Sequence, residues 1–318
     1  MIALSIMIEG QNGLTWPLWK ELVREVEDLG FAGLFRSDHF TNARPPDKDS
    51  LEMIVSETYL ADHSQRLHFG PMVAPLSMRN PMLLARQAAA LDDLSNGRMI
   101  LGLGAGWQER EHRLFGFDLG DMPTRMNRFA EGLEVVTRLL NSDEPVTYEG
   151  QFYQLREATL LPRPQRPGGP RILIGGSGPK RTLPLAARYA HIWNAVALPP
   201  DEFRERSALL DKLLVEAGRQ PGDVQRTMMR SLDFGRDKAE LDRRLHWRTT
   251  MPQLANLSLD ETIDTLAKQH EIVGTPDMVL EQIQTYARAG VEELMLQWFD
   301  LDDIDGLRAF ARSVLPRL

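Results

Sequence analysis

The feature that most restricts the fold of this chain is an alternation. Short apolar runs of strand length recur eight times, and most are followed by a stretch whose apolar residues have helical spacing. Residues 2–8, 32–36, 67–73 and 99–103 read as the first four strands, with helical patterns over 16–29, 51–62 and 81–94 between them. Gly30 stops the first helix, Pro81 suits a first-turn position where its missing N–H is no loss, and Asn96-Gly97 supplies a tight reversal. After a helix over 125–140, residues 146–155 read as a small hairpin around Glu149-Gly150, and Pro162, Pro164 and Pro167 carry an irregular return. Strands over 171–174, 191–195 and 227–232 resume the rhythm, with helices over 182–189 and 201–217. Residues 236–271 carry no strand signal and read as an inserted helical segment. A helix over 277–289, a strand over 293–297 and a helix over 303–315 follow. Eight strands, mostly each followed by a helix, favour an α/β fold of the (β/α)8 TIM barrel type with insertions over an open doubly wound sheet. No linker rich in Gly, Pro or Ser divides residues 1–318, so a single domain is expected.

Composition narrows the chemistry. The formal charge of -8 argues against a protein that coats nucleic acid, since backbone phosphates demand concentrated Lys and Arg. The absence of cysteine removes disulfides, thiolate nucleophiles and Cys-built zinc or iron–sulfur sites. His63, His68, His112 and His191 lack the His-Glu-x-x-His spacing of a zinc protease, and no metal is expected. Near the amino terminus Glu9 interrupts the apolar run well short of the ~20 residues a spanning helix needs, so the default expectation is a cytoplasmic protein with no membrane partner.

In a TIM barrel the strand-to-helix loops build the reactive face. Gly175-Gly176-Ser177-Gly178, after the fifth strand, presents consecutive backbone N–H groups at the start of a helix, with Lys180 and Arg181 beside them. That arrangement suits a phosphate; a plain strand-to-helix turn uses the same glycines. Its spacing is neither a Rossmann fingerprint nor a P-loop. His39, after Asp38 at the end of the second strand, is placed either to exchange a proton near neutral pH or to shape the loop with a local carboxylate. After the fourth strand Gly102, Gly104 and Gly106 permit close approach of a cofactor or a tight turn, and Trp107 suits covering a planar ring or packing a loop. The run Glu109, Arg110, Glu111, His112, Arg113 reads as a solvated helix face, with room for one member to point inward. Asn80, Trp193, Asn194 and Trp298 lie near strand ends and either line the site or close the core.

These residues, in this order, resemble the bacterial luciferase-like flavin and deazaflavin oxidoreductases. Ser37-Asp38-His39-Phe40 carries the likeness, with residues 91–98 leading into Leu101-Gly102-Leu103-Gly104-Ala105-Gly106-Trp107. Ile174-Gly175-Gly176-Ser177-Gly178 and Tyr148-Glu149-Gly150 before Phe152-Tyr153 add to it. The resemblance implies a redox ring across the barrel top and cofactor phosphate near Gly175, Gly176 and Ser177. It further implies cofactor contacts at Met72, Val73, Gly104, Ala105, Gly106, Trp107 and Trp193. The Ser-Asp-His-Phe loop is similar to that of the branch using the deazaflavin F420; by that likeness His39 is catalytic and Asp38 contacts the cofactor or orients the loop. Pro71-Met72-Val73 matches a segment that often forms a backbone bulge behind the ring, where a non-proline cis bond is informative.

One departure matters. Where the sugar-phosphate dehydrogenase of the F420 branch has a proposed catalytic glutamate, this chain has Trp107, so oxidation of glucose 6-phosphate is not expected. The implied function is hydride transfer between F420 and a small organic substrate. Two alternatives stand beside it: an FMN-dependent monooxygenase fed with reduced cofactor by a separate reductase, and a non-enzymatic flavin-binding barrel. A homodimer is expected on general grounds. The 236–271 insertion is a candidate substrate-side lid, with Trp247, Met251 and Leu254 for apolar contacts and Arg243, Arg244 and Arg248 for an acidic group, or else an ordinary amphipathic excursion.

Overall fold

The computed structural model describes residues 2–251 and 254–318. Eight parallel strands form its centre: β1 (Ala3–Ile8), β2 (Gly33–Arg36), β3 (His68–Pro71), β4 (Ile100–Gly104), β5 (Arg171–Gly175), β6 (Ile192–Val196), β7 (Gln225–Phe234) and β8 (Glu293–Trp298). β1 pairs with β2 on one side and β8 on the other; β2 leads to β3, and β8 leads through β7, β6 and β5 to β4. The ring closes where Ala74–Pro75, the continuation of β3, pairs with Leu103 and Gly104, and where Phe69 bridges Met99. Between β3 and its continuation the Met72–Val73 peptide is cis, at the bulge that the resemblance implies. The expected TIM barrel is therefore the observed one.

The helices are α1 (Trp16–Leu29), α2 (Met53–His63), α3 (Pro81–Leu94), α4 (Glu109–Phe115), α5 (Met122–Asn141), α6 (Thr182–Tyr189), α7 (Pro200–Glu216), α8 (Lys238–Leu245), α9 (Leu259–Lys268), α10 (Pro276–Arg288) and α11 (Ile304–Val314). Local sequence explains their ends. Gly30 terminates α1 in the left-handed region at φ 90°, which an L side chain resists. α3 opens on Pro81, and the Asn80 side chain accepts hydrogen bonds from the Met82 and Leu83 N–H groups. Asn80 thus serves as a helix cap. The hairpin forms as Val146–Glu149 against Gln154–Ala158. A strand absent from the sequence reading, Ile272–Gly274, extends the sheet beside β7; three residues are too few for a period of two to register. No described helix is long and apolar enough to cross a membrane.

Alternation along the strands sorts the side chains into two cores. Met7, Phe35, Ile100, Leu173, Ile192 and Met295 pack together inside the ring with Met72, whereas Leu34, Leu101, Ile174 and Trp193 join the larger core beneath the helices. At the amino-terminal end of the ring Ser5 Oγ donates to Glu293 at 2.5 Å and Gln225 Nε2 donates to the same carboxylate at 3.3 Å. This polar plug leaves the opposite end for chemistry.

Val73 shapes that opposite end. A Cβ at Gly104 would overlap the Val73 Cγ2 methyl, one at Gly175 would lie 3.0 Å from Cγ1, and one at Gly102 would overlap the Pro71 carbonyl oxygen. Gly102 and Gly104 therefore make room for the chain's own bulge. Gly104→Ala is expected to cost about 1–3 kcal/mol, the usual range for overpacking. Val73→Ala in the same chain should return most of that loss, because it removes the overlapping methyl. Denaturant unfolding of the four proteins of this cycle checks the coupling; strictly additive losses would mean that Gly104 makes room for something other than Val73.

Candidate active site

β2 and β4 deliver two loops that meet above the ring. His39 follows β2, and α4, starting soon after β4, brings Glu111 against it. His39 Nδ1 lies 2.8 Å from Glu111 Oε1, and the second carboxylate oxygen accepts the Phe40 N–H at 3.1 Å. The Glu111 side chain is 1% exposed and that of His39 16%. Nδ1 donates to the carboxylate, which leaves Nε2 as the nitrogen for a ligand. Burial alone would lower the His39 pKa, but the hydrogen bond to Glu111 and the charges of Glu111, Glu9 and Asp38 outweigh it and hold the imidazole above its ordinary value. Ser50 Oγ donates to the His39 carbonyl at 2.8 Å, and Gln108 Nε2 donates to the Thr41 carbonyl at 3.1 Å while lying 3.2 Å from Nδ1.

The sequence reading leaves Glu111 unassigned within a charge run. The signal that finds it is positional: Gln108, Glu111 and His112 share one helical face at i, i+3 and i+4, and all three are buried. His112 completes the attachment, with Nδ1 on the Gln108 carbonyl at 2.7 Å and Nε2 on Ser77 Oγ at 2.8 Å. Gly106 permits this approach, since a Cβ there would overlap Ser77 Oγ. Gly106 thus serves the packing of this loop. Ala105 is half-buried between Gly104 and Gly106. Trp107 projects from the same turn, 61% exposed, edge-on to the His39 ring at 5.5 Å and 83°.

Asp38 is buried and gripped by Arg79, with Nε to Oδ2 at 2.8 Å and Nη2 to Oδ1 at 2.6 Å; Arg79 also reaches Glu52 at 2.7 Å. Of the two roles that the resemblance implies for Asp38, orienting the loop is the one this pairing serves.

Across the ring, β5 ends in Gly175, and Gly176 turns at φ 122°, a conformation that favours glycine. The Gly176 N–H donates to the Asn194 carbonyl at 2.9 Å, the Gly176 carbonyl accepts from Trp193 Nε1 at 2.8 Å, and Ser177 Oγ accepts the Val196 N–H at 3.2 Å. α6 follows with no side chain capping its amino end. A braced glycine turn before an uncapped helix fits a phosphate. Trp193 itself is fully buried and stacks on Phe203 of α7 at 5.3 Å and 9°. It braces the cradle from behind, which corrects its assignment as a cofactor contact; strand parity turns it outward while Ile192 and Asn194 face the ring interior. Asn194 Nδ2 donates to Thr227 Oγ1 at 2.9 Å, whereas its buried Oδ1 has no partner. A leftover acceptor paired in register with Gly175 fits a ligand with a ring N–H. Trp298 closes the outer core.

The insertion is braced from within. Leu241, Leu245, Leu254, Ile263 and Leu266 form a core of their own with Val273, so Leu254 packs inward. Trp247 lies 5.4 Å from the Phe299 ring. Arg244 pairs with Glu240 and Asp303, and Arg248 with Asp233 and Glu271. Both arginines meet acids of the protein instead of an acid of the substrate. Pro252 and Gln253 lie outside the described residues.

A parallel barrel with a buried histidine–carboxylate pair and a braced glycine turn at the ends of its strands has the layout of a TIM-barrel active site. Residues 9–293 match the family described as luciferase-like monooxygenase, and the chain belongs to that family. It is 26% identical to an F420-dependent glucose-6-phosphate dehydrogenase of Amycolatopsis mediterranei (strain U-32), over 94% of this chain and 93% of that one. It is also 26% identical to the 4-hydroxyprotoasukamycin monooxygenase of Streptomyces nodosus subsp. asukaensis, over 87% of this chain and 71% of that one. Among solved structures, an F420-dependent secondary alcohol dehydrogenase in complex with an F420-acetone adduct superposes with a TM-score of 0.83 at 20% identity, covering 99% of this chain and 98% of the other.

Proposed function

We propose that this protein is an F420-dependent oxidoreductase that moves a hydride between the deazaflavin and a small organic substrate while His39 passes the accompanying proton. The observation that carries the reading is the His39–Glu111 pair, 2.8 Å apart and largely buried. A carbonyl carbon that gains a hydride leaves an oxygen that needs a proton, and a histidine of raised pKa with Nε2 available supplies it. When bound, the deazaflavin supplies the two-electron hydride chemistry. The Ser177 hydroxyl and the uncapped amino end of α6, set by the Gly176 turn, would hold its phosphate, and Val73 would stand behind its ring. Glu111 fixes the proton on Nδ1, so Nε2 is the atom that gives or takes one. In reduction His39 starts as imidazolium; in oxidation it starts neutral. The partner this reading calls for is a separate enzyme that reloads the cofactor. Glucose 6-phosphate is not carried over from the relatives, because Trp107 stands where the resemblance places a glutamate.

Anaerobic titrations with F420 and with FMN, followed by turnover with each reduced cofactor, test the proposal. F420 should bind and support turnover without oxygen. Productive FMN binding with no F420 binding would overturn it in favour of a flavin monooxygenase, the reading that the likeness to 4-hydroxyprotoasukamycin monooxygenase favours.

A further inference from the structure

We propose that the Trp107 indole is the seat of the substrate, and that the substrate is an uncharged carbonyl compound with a flat apolar flank, an aromatic or conjugated ketone or the matching alcohol. This rests on His39 being the proton-transfer residue, and it is argued from what surrounds His39. Trp107 is 61% exposed, yet it is no loop anchor: the loop is fastened by buried Gln108, Glu111 and His112. Its ring stands edge-on 5.5 Å from the imidazole, so a molecule lying on the indole has an atom within reach of that histidine. Next to His39, Phe40 packs edge-on against Phe115 at 5.0 Å, and Phe115 is 52% exposed, which extends the apolar surface.

Charge selects in the same direction. The carboxylates of Glu111, Glu9 and Asp38 surround His39 and favour its charged form, so the imidazolium is already balanced by acids of the protein and needs no anionic substrate. Three guanidinium groups near His39 are held by acids of the protein. Arg79 is held by Asp38 and Glu52, Arg110 by both oxygens of Asp47 at 2.6 and 2.7 Å, and Arg128 by Asp118 at 2.8 Å. A sugar phosphate or carboxylate would find these three arginines already engaged. A neutral planar ketone stacks on the indole and presents its oxygen to Nε2. In its reduction the C=O π bond gives way to one C–H and one O–H bond. The hydride, with both electrons, comes from the reduced deazaflavin, and the proton comes from His39, which recovers one from solvent.

The test uses the enzyme with F420 and four probes: 4-phenyl-3-buten-2-one, its para-carboxylate, 3-penten-2-one and glucose 6-phosphate. The phenyl ketone should show a KM about tenfold below those of the aliphatic ketone and the carboxylate, the scale of one aromatic contact. Trp107→Ala should collapse that preference and Trp107→Phe should restore most of it. Equal or tighter use of the carboxylate or of glucose 6-phosphate, or a preference that survives Trp107→Ala, overturns the proposal. Quenching of tryptophan emission by the phenyl ketone, wild type against Trp107→Phe, reads the seat without turnover. An unchanged rate in His39→Ala would remove the proton-transfer reading while an intact quenching preference kept the seat; loss of the preference with His39 still required would do the reverse.

Discussion

His39→Ala is expected to lower turnover of every substrate the wild-type enzyme reduces by about 10²–10⁴-fold while shifting F420 affinity only slightly, the usual contribution of a positioned general acid. That range corresponds to about 2.7–5.5 kcal/mol of barrier. Glu111→Gln is the finer probe, because it keeps a hydrogen-bonding group beside Nδ1 and removes the charge. Reduction consumes imidazolium, so its rate should fall as pH rises through the His39 pKa, which lies above the ordinary value near 6.5. Glu111→Gln should move that limb to lower pH; the oxidative direction, which needs the neutral ring, should gain where reduction loses. A proton-detected titration of His39 in cofactor-free protein reads the same displacement without catalysis. The linkage has a matching sign: the pair's contribution to folding is fully present below the unfolded histidine value and is lost as pH rises through the higher folded one. A wild-type rate in His39→Ala would show that the proton arrives by another route.

What the sequence discloses here, and what it hides, depends on whether the deciding contact is local. The barrel is legible because each strand and helix writes its own period; the helices over 16–29 and 81–94 match the observed α1 and α3. Glu111 is hidden because its partner lies 72 residues away, and a charge run on a helix does not say which side another loop will cover. The glycines of β4 announce a close approach without naming the visitors, among them the Pro71 carbonyl at Gly102 and Val73 at Gly104. Trp193 is misread for a reason peculiar to parallel sheets. Ile192, Trp193, Asn194 and Ala195 are all buried, so no apolar–polar alternation marks which of them face inward. The resemblance finds the Met72–Val73 bulge and the Gly176 turn, while the charge and aromatic surroundings of His39 emerge only from packing.

Arg248→Ala is expected to destabilise the protein by about 3–5 kcal/mol, the cost of removing one partner from a buried ionic group. The Arg248 side chain is 5% exposed, and its Nη2 donates to Asp233 at 2.5 Å and to Glu271 at 2.7 Å. The guanidinium also lies 4.5 Å from the Trp247 ring centre and 5.3 Å from that of Phe299. One side chain therefore ties the insertion to the end of β7, where Asp233 sits. Burial already raises the Asp233 pKa against the pull of Arg248. Without Arg248 it rises further, and a group whose folded pKa exceeds the unfolded value near 3.9 loses stability as pH increases. The deficit should thus be larger at pH 8 than at pH 5, roughly the span over which a buried carboxyl can no longer escape by protonation. Arg248→Met keeps the apolar contact with the two rings and should show the same pH slope with a smaller loss. Denaturant unfolding at both pH values checks this; a loss under about 1 kcal/mol without pH dependence would place the triad among solvated ion pairs. Limited proteolysis reads the contact locally: cleavage within 236–271 should quicken in Arg248→Ala. An unchanged cleavage rate would mean that the insertion's own apolar core, not the triad, holds it against the barrel.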